Sequence, residues 1–530
     1  MSRARKSRKP KPAINEARPK KLPSIFTTGK QLREITGAAL TALKNANFPP
    51  SVFVRGGELV RIVADENRRP KVEAFREASL LRRITRVANF YAREPLGRTI
   101  PVLPPAAMAR DILSLGEWDF PPLMGVVEVP VLRPNGTILD KPGYDPESRL
   151  YHRPAANLRV TLIPENPTAR DIEAAVAMLD EVLGEFPYDS PASKANAIGL
   201  LLTPIVRPAI EGPIPLALLD APQQGSGKTL LGSVISIVAT GRPTALMAAT
   251  ESEEEWRKRI TSTLRSGASV ITIDNIEGVL KSPSLALALT SDVWRDRLLG
   301  GNQSIELPQL ATWLATGNNI RLGGDMQRRS YWIRLDAQSA TPWLGREFKH
   351  EDLKGWVAEN RGQIIGALLT LARAWFVAGQ PAPKSSPRLG SYEKWSTVIG
   401  GVLETAGVSG FLGNLESLYS FADEEAEDWA SFLEALYADQ GAKPFTTADL
   451  AENLVVDEKL RGALPDGLAA DWNGGKGANF GKRLGKAFGR QTGRRYGEFQ
   501  YRIEPAGHVG HAKKWVVART VPATVTLTAA

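Results

Sequence analysis

Cysteine is absent from the 530 residues. That absence removes disulfides, thiol catalysis and every thiolate zinc site, and it is compatible with a reducing compartment. Histidine is scarce, at four residues. His152 and His350 stand alone with no triad in view. His508 and His511 are three apart but no carboxylate cluster joins them, so they read as a loop rather than a metal site. No apolar run reaches the ~18 residues of a membrane span; the best, 198–206, is broken by Pro204. No apolar stretch follows the basic N-terminus, which argues against a secretory signal. There is no internal repeat and no long low-complexity segment. The mix of 43% hydrophobic and 23% charged residues excludes a mostly disordered chain. At ~150 residues per domain, the length predicts roughly three to four domains.

Charge is present in excess of one sign, and its placement carries information. The formal net charge is +10 and the isoelectric point about 9.5. Residues 1–21 hold nine Lys/Arg and one acid, and residues 471–520 hold eleven bases and three acids, so the span between them is mildly acidic. Two basic ends around an acidic middle point to a polyanionic partner, nucleic acid first.

Residues 1–22 lack apolar periodicity and carry three prolines, which predicts a disordered tail. A helix is expected over 30–46. A hairpin is expected at 52–63 around Gly56-Gly57, a strand at 126–132, and turns at Pro134-Asn135-Gly136 and Gly143-Tyr144-Asp145-Pro146. From Thr168 the apolar spacing turns helical, and 196–205 reads as a second, buried helix. Residues 214–336 alternate short β-like runs with helical segments, as an α/β core does. Residues 351–440 read as helical; 416–439 carry eight acids and no base, and are expected to form a solvated face.

The informative stretch is Leu216-Ala217-Leu218-Leu219-Asp220-Ala221-Pro222-Gln223-Gln224-Gly225-Ser226-Gly227-Lys228-Thr229. An apolar strand runs into a glycine-containing loop, and Leu230 continues as a helix, which is the setting a phosphate-binding loop needs. Gly225 and Gly227 let backbone N–H groups of Gln224 to Leu230 turn inward, and the helix N-terminus adds its positive end. Lys228 is expected to reach the β- and γ-phosphates of ATP, and the Thr229 hydroxyl to hold Mg²⁺. Pro222 stands where the usual pattern has glycine.

Such a loop predicts a second buried strand ending in an acid. Ser269-Val270-Ile271-Thr272-Ile273-Asp274 supplies it, with Asp274 as the second Mg²⁺ ligand. Asn275 follows where many such ATPases have Glu; an amide orients a water but cannot take its proton, which leaves Glu255 or Glu277 as candidate bases. A third strand at 311–314 leads to Asn318, placed to sense the γ-phosphate. Then Gly324-Asp325-Met326-Gln327-Arg328-Arg329 offers an arginine pair suited to reach a neighbouring subunit's phosphate, a contact worth roughly 10³–10⁵ in rate where it has been dissected.

With these pieces in order, residues 195–440 resemble the superfamily 3-like AAA+ helicase module of phage, prophage and integrative-element replication proteins. The matching strings are Asp220 to Thr229, Glu255-Trp256-Arg257-Lys258-Arg259-Ile260, Ile273-Asp274-Asn275, Trp294-Arg295-Asp296-Arg297-Leu298-Leu299-Gly300, Thr316-Gly317-Asn318-Asn319 and Gly324 to Arg329. The resemblance implies a homo-oligomeric ring, usually hexameric, with ATP sites between subunits, acting on DNA in the cytoplasm of a prokaryotic host and without a membrane. It also implies that 293–307 forms a hairpin projecting into the ring's channel, where Arg295 and Arg297 grip phosphates independently of sequence.

Near the C-terminus, Thr446 or Thr447 reads as a helix cap. Phe480, Leu484 and Phe488 share one helical face, with Lys482, Arg483, Lys486 and Arg490 elsewhere and Arg494-Arg495 following. Helices followed by a basic hairpin, its wing about 505–513, predict a winged helix that binds DNA through these six bases.

The expected fold is thus multidomain α/β: a basic tail (1–22), a mixed α/β N-terminal domain (23–155), a helical connector (156–213), an AAA+ P-loop ATPase core (214–350), a helical domain (351–440) and a winged-helix-like domain (441–530). The expected function is a ring-forming, ATP-dependent DNA helicase. The alternatives are an ATP-switched origin-binding initiator or helicase loader and, less supported by the scattered acids of 23–155, a primase.

Overall fold

The computed structural model describes residues 21–520 except 67, 244–245, 298–303, 340, 343–347, 386, 423, 471, 473–479, 498 and 511. The basic tail expected over 1–22 therefore lies almost wholly outside the described residues, as do the hairpin turn 298–303 and His511.

The centre is a five-stranded sheet: β1 (Leu216–Ala221), β2 (Leu246–Ala248), β3 (Val270–Ile276), β4 (Thr312–Asn318) and β5 (Ser330–Arg334). Their order is β2-β3-β4-β1-β5, and every pairing is parallel. β1 is buried at all six positions, which is why it reads as an unbroken apolar run rather than an alternation; both faces of a parallel sheet are covered. The helix after the phosphate loop, α1 (Lys228–Thr240), covers one face, and α2 (Glu253–Arg265) packs on the other with Trp256, Ile260 and Leu264.

Helix Pro191–Val206 lies against α1, and Ala169–Leu183 joins the same apolar core beside it. Thr168 starts the former with a capping box to Asp171. Arg361–Val377 and Glu393–Thr405 close the same core.

The N-terminal unit has its own apolar cluster, from Ile25 to Phe120, built on Leu32–Asn45 and two short three-stranded sheets. The expected hairpin is Phe53–Arg55 and Glu58–Ala64, paired antiparallel. Two expectations are corrected here. The single strand 126–132 is two, Gly125–Val127 and Val131–Leu132, because Pro130 between them cannot donate to a ladder. The turn expected at 143–146 is instead the strand Gly143–Asp145, paired with Leu150–His152. Residues from Val129 to Leu150 share the cluster of the central module.

This unit is docked on the centre by polar contacts as well. The buried Arg55 guanidinium donates to the carbonyls of Leu264 (2.9 Å) and Arg265 (3.2 Å), closing the C-terminal end of α2. Burial pulls its pKa down to about 10. Arg265 in turn pairs with Glu58 at 2.6 Å. At Gly56 (φ 62°) a Cβ would stand 2.9 Å from the Glu306 carbonyl, so this turn tolerates no side chain.

The C-terminal unit gathers helices Glu424–Gln440, Thr447–Val456 and Phe480–Gln491 with a three-stranded antiparallel sheet, Phe445–Thr446, Ala512–Ala518 and Arg502–Val509 in that order. Thr446 is the cap, accepting from the Asp449 amide. The acidic segment 416–439 is more than a solvated face: Trp429, Phe432, Leu433 and Leu436 from it are buried in the C-terminal core.

Candidate nucleotide-binding site

β1 ends at Ala221, the chain turns through Pro222 to Gly227, and α1 begins at Lys228. Gly225 (φ 76°) and Gly227 (φ 98°) both take the left-handed conformation, which would cost a side chain about 1–2 kcal/mol. With Pro222 in place of glycine the loop still closes, through the Ser226 hydroxyl donating to the Gln223 carbonyl at 2.8 Å. Lys228 is buried; its ammonium donates to the Gln223 carbonyl (3.1 Å) and to Asn318 Oδ1 (2.7 Å). Burial lowers its pKa, while Asp220 opposes that shift. Gln224 and Thr229 are exposed, and Leu230 is half-buried against the core.

Asn318 ends β4, directly opposite Ala221 in register. Asp274 stands one strand further along the same edge, half-buried near the end of β3. There the register slips between Ile273 and Ile276, and Asn275 takes φ 53°, a conformation asparagine tolerates better than most residues. The Asn275 amide donates to Glu277 Oε1 at 2.9 Å. Glu255, in the first turn of α2, is engaged with Lys258 at 3.0 Å. Lys228, Asn318, Asp274 and Asn275 thus share the C-terminal edge of three adjacent strands.

The arginine pair is elsewhere. Gly324–Arg329 is a 3-10 turn that runs into the N-terminal end of β5. Since β5 is parallel to β1, with Ser330 opposite Leu216 and Arg334 opposite Asp220, the pair lies at the end of the sheet away from Lys228. At ~3.3 Å per residue the five-residue strand separates the two by roughly 17 Å. The two arginines also differ. Arg328 is 77% exposed and pairs with Asp325 at 2.8 Å. Arg329 is 20% exposed, bonded to the Ala286 carbonyl (3.0 Å) and Asp325 (3.0 Å). Of the expected pair, Arg328 reaches into solvent while Arg329 is turned toward the helix Pro283–Thr290.

Three partners went unassigned in the sequence. The Thr316 hydroxyl donates to Asp274 Oδ1 at 2.5 Å and accepts from the Asn275 N–H at 3.1 Å, fixing both. Asp220, with no exposure, is held by Arg334 (2.6 Å), the Trp332 indole (3.2 Å) and the Ile320 N–H (3.0 Å). Burial pushes its carboxyl up, against those bonds. Arg334 also lies over the Trp332 ring and donates to Asn319 Oδ1 at 3.2 Å. An acid inside an apolar strand was the available signal, since a buried charge requires a partner.

The expected hairpin arms are Val293–Arg297 and Ser304–Pro308, paired antiparallel. Period-2 alternation divides their faces. Trp294, Ile305 and Leu307 are buried against α2, with the Trp294 indole on Thr261 at 2.8 Å. Asp296 binds Thr261 at 2.7 Å and also Arg257. Arg295 and Arg297 face outward and are exposed, Arg295 pairing with Glu306 at 2.9 Å. Of the C-terminal bases, Lys482, Arg483, Lys486, Arg490, Arg494 and Arg495 are all exposed, while Phe480, Leu484 and Phe488 are buried behind them.

No protein-family model matches the chain, and no curated protein matches it. Among solved structures, it is similar to the apo A form of the NrS-1 C-terminal region, at 10% identity and a TM-score of 0.35, covering 86% of this chain and 95% of that one. A second NrS-1 C-terminal-region structure gives 10% identity and a TM-score of 0.39, over 91% and 99%. JCV helicase with a thiazolopyridine compound gives 15% identity and a TM-score of 0.23, over 49% and 66%. The function of the chain rests on its own residues.

Proposed function

We propose that this chain is an ATP-hydrolysing DNA helicase or translocase that works as a ring, in the replication of a phage or mobile element as its motifs imply. The observation that carries the reading is the buried Lys228 ammonium, poised over a two-glycine loop and bonded to Asn318 at 2.7 Å across the neighbouring strand. A buried cation held by neutral carbonyls is short of an anion. A triphosphate tail at this loop supplies one.

Loop amides and Lys228 bind the phosphates, and Asn318, released from the lysine, faces the γ-phosphate and places the attacking water with Asn275. Among the described residues no three metal-ligating side chains converge. Mg²⁺ needs only one or two, with phosphates and water completing its shell, and the oxygens of Thr229 and Asp274 fit that demand. Mg²⁺ held there would neutralise charge on the phosphate tail. Glu277, hydrogen-bonded to the Asn275 amide, is the carboxylate proposed to receive a proton there. Arg328, at the far end of the sheet, serves a nucleotide on another copy, which is why a ring is proposed. Arg295 and Arg297 on the outer face of the hairpin, and the bases of the last helix, grip DNA.

DNA-stimulated ATP hydrolysis, lost in Lys228→Ala, together with displacement of a strand from forked DNA, tests the proposal. Unimpaired hydrolysis by the lysine variant refutes it. The amide at Asn275 favours one second reading, an ATP-switched initiator or loader; ATP-dependent assembly on DNA that leaves a fork annealed selects it.

A further inference from the structure

The solvent-facing side of Phe480–Gln491 does not look out into open space. Arg483, Lys486 and Arg490 line a cleft of about 1080 Å³ whose other wall belongs to the central module. Lys281, Arg321 and Arg328 stand on that wall. With Arg494, seven basic side chains and three aspartates line it. The spacing 483, 486, 490 and 494 keeps four bases on one helical face and its extension, apart from the buried Phe480, Leu484 and Phe488. Among the described lining residues the one aromatic is Trp429, which is 3% exposed, so no ring is offered for base stacking.

Two basic walls without a stacking platform recognise charge along a backbone, not bases. A cleft this size takes an extended polyanion rather than one small anion. We propose that nucleic-acid phosphate backbone binds in this cleft, with Lys281 and Arg321 as contacts from the ATPase side and Lys486 and Arg490 from the C-terminal side. The strand then bridges the two units and bears on Arg328, which currently rests on Asp325. The inference extends the proposed function, since that reading names DNA but places no contact at Lys281 or Arg321.

The test uses the full chain without nucleotide, so it is independent of ATP hydrolysis. Fluorescence anisotropy with labelled single-stranded and duplex oligonucleotides, over a salt series, compares wild type with Lys281→Ala/Arg321→Ala and Lys486→Ala/Arg490→Ala. Each pair removes two phosphate contacts, so Kd rises about tenfold or more and the log–log salt slope drops by about two. Lys443→Ala, outside the cleft, leaves both within about twofold. The two oligonucleotides show which form binds. Because the chain has no cysteine, Lys281→Cys and Lys486→Cys each carry a single photocrosslinker. Both are expected to capture the oligonucleotide, and they keep the test decisive if an alanine pair unfolds. Unchanged Kd and slope in a folded Lys281→Ala/Arg321→Ala, or capture from Lys486→Cys but never from Lys281→Cys, overturns the bridge. A chain that hydrolyses no ATP yet shows these losses sinks the motor and keeps the cleft.

Discussion

Replacing Thr316 by valine keeps the branched shape and deletes one hydroxyl. That hydroxyl donates to Asp274 at 2.5 Å and accepts from the Asn275 N–H at 3.1 Å, and Thr316 is 2% exposed. A bond to a charged acceptor contributes about 1.5–3 kcal/mol. Asp274 is half-buried, so water recovers part of it. About 1.4–2.7 kcal/mol then remains, a ten- to hundredfold effect, which matches what loss of a group supporting a metal ligand costs in affinity. The half-saturating Mg²⁺ concentration for ATP hydrolysis is therefore expected to rise about ten- to hundredfold. Binding of a fluorescent ATP analogue in EDTA stays within about twofold, because the loop and Lys228 are untouched. The orphaned Asn275 N–H costs about 1–3 kcal/mol more, visible as a lower melting temperature. Thr316→Ser, which keeps the hydroxyl, restores the Mg²⁺ dependence. If Thr316→Val titrates with Mg²⁺ as wild type does, the hydroxyl does not position Asp274 and the reasoning fails.

Arg328→Ala is expected to lower kcat by about 10³ or more while leaving ATP binding intact; mixed with Lys228→Ala subunits it recovers part of the activity if the arginine acts on another copy, and no recovery argues against that. Arg329→Ala acts differently, removing one bond each from Asp325 and the Ala286 carbonyl, so differential scanning shows a lower melting temperature before any catalytic change. Asn275→Glu places a bulkier residue at φ 53°, and a loss of about 1–2 kcal/mol in unfolding experiments is expected. Asp145 carries a pH signature: burial pushes its carboxyl up, but Arg133 and Ser148 outweigh burial and hold it at about 2, against an ordinary 3.8. This depressed carboxyl stabilises the fold by about 2 kcal/mol, fully present above about pH 4 and lost as pH falls toward 2. Urea unfolding of wild type and Arg133→Met should differ at pH 5 and converge near pH 2; a difference that persists at pH 2 contradicts the assignment.

The sequence made legible what is encoded locally. The loop at Gly225 to Thr229 announces its glycines, the Thr168 and Thr446 caps announce their helices, and the apolar runs of β1 and β3 announce buried strands. Asn318 and Asp274 were placed because each ends such a run. What it hid depends on register and on partners far along the chain. Thr316 matters only because β4 lies beside β3. Arg328 and Arg329 are neighbours in sequence, yet one faces solvent and the other a carbonyl of Ala286, a distinction that exists only once the helix Pro283–Thr290 packs beside them. The stretch 126–132 looked continuous because its residues favour strands, while Pro130 divides it for want of an N–H.

The turn at Gly56 is pressed on Glu306, and Arg55 beside it holds the end of α2. Arg295 and Arg297 hang from that same pair of arms, rooted on α2 through Trp294 and Thr261. Any stroke that swings these arms must therefore drag the N-terminal meander along or tear it loose. A displacement of the hairpin would bear on that unit through one glycine too small to cushion it.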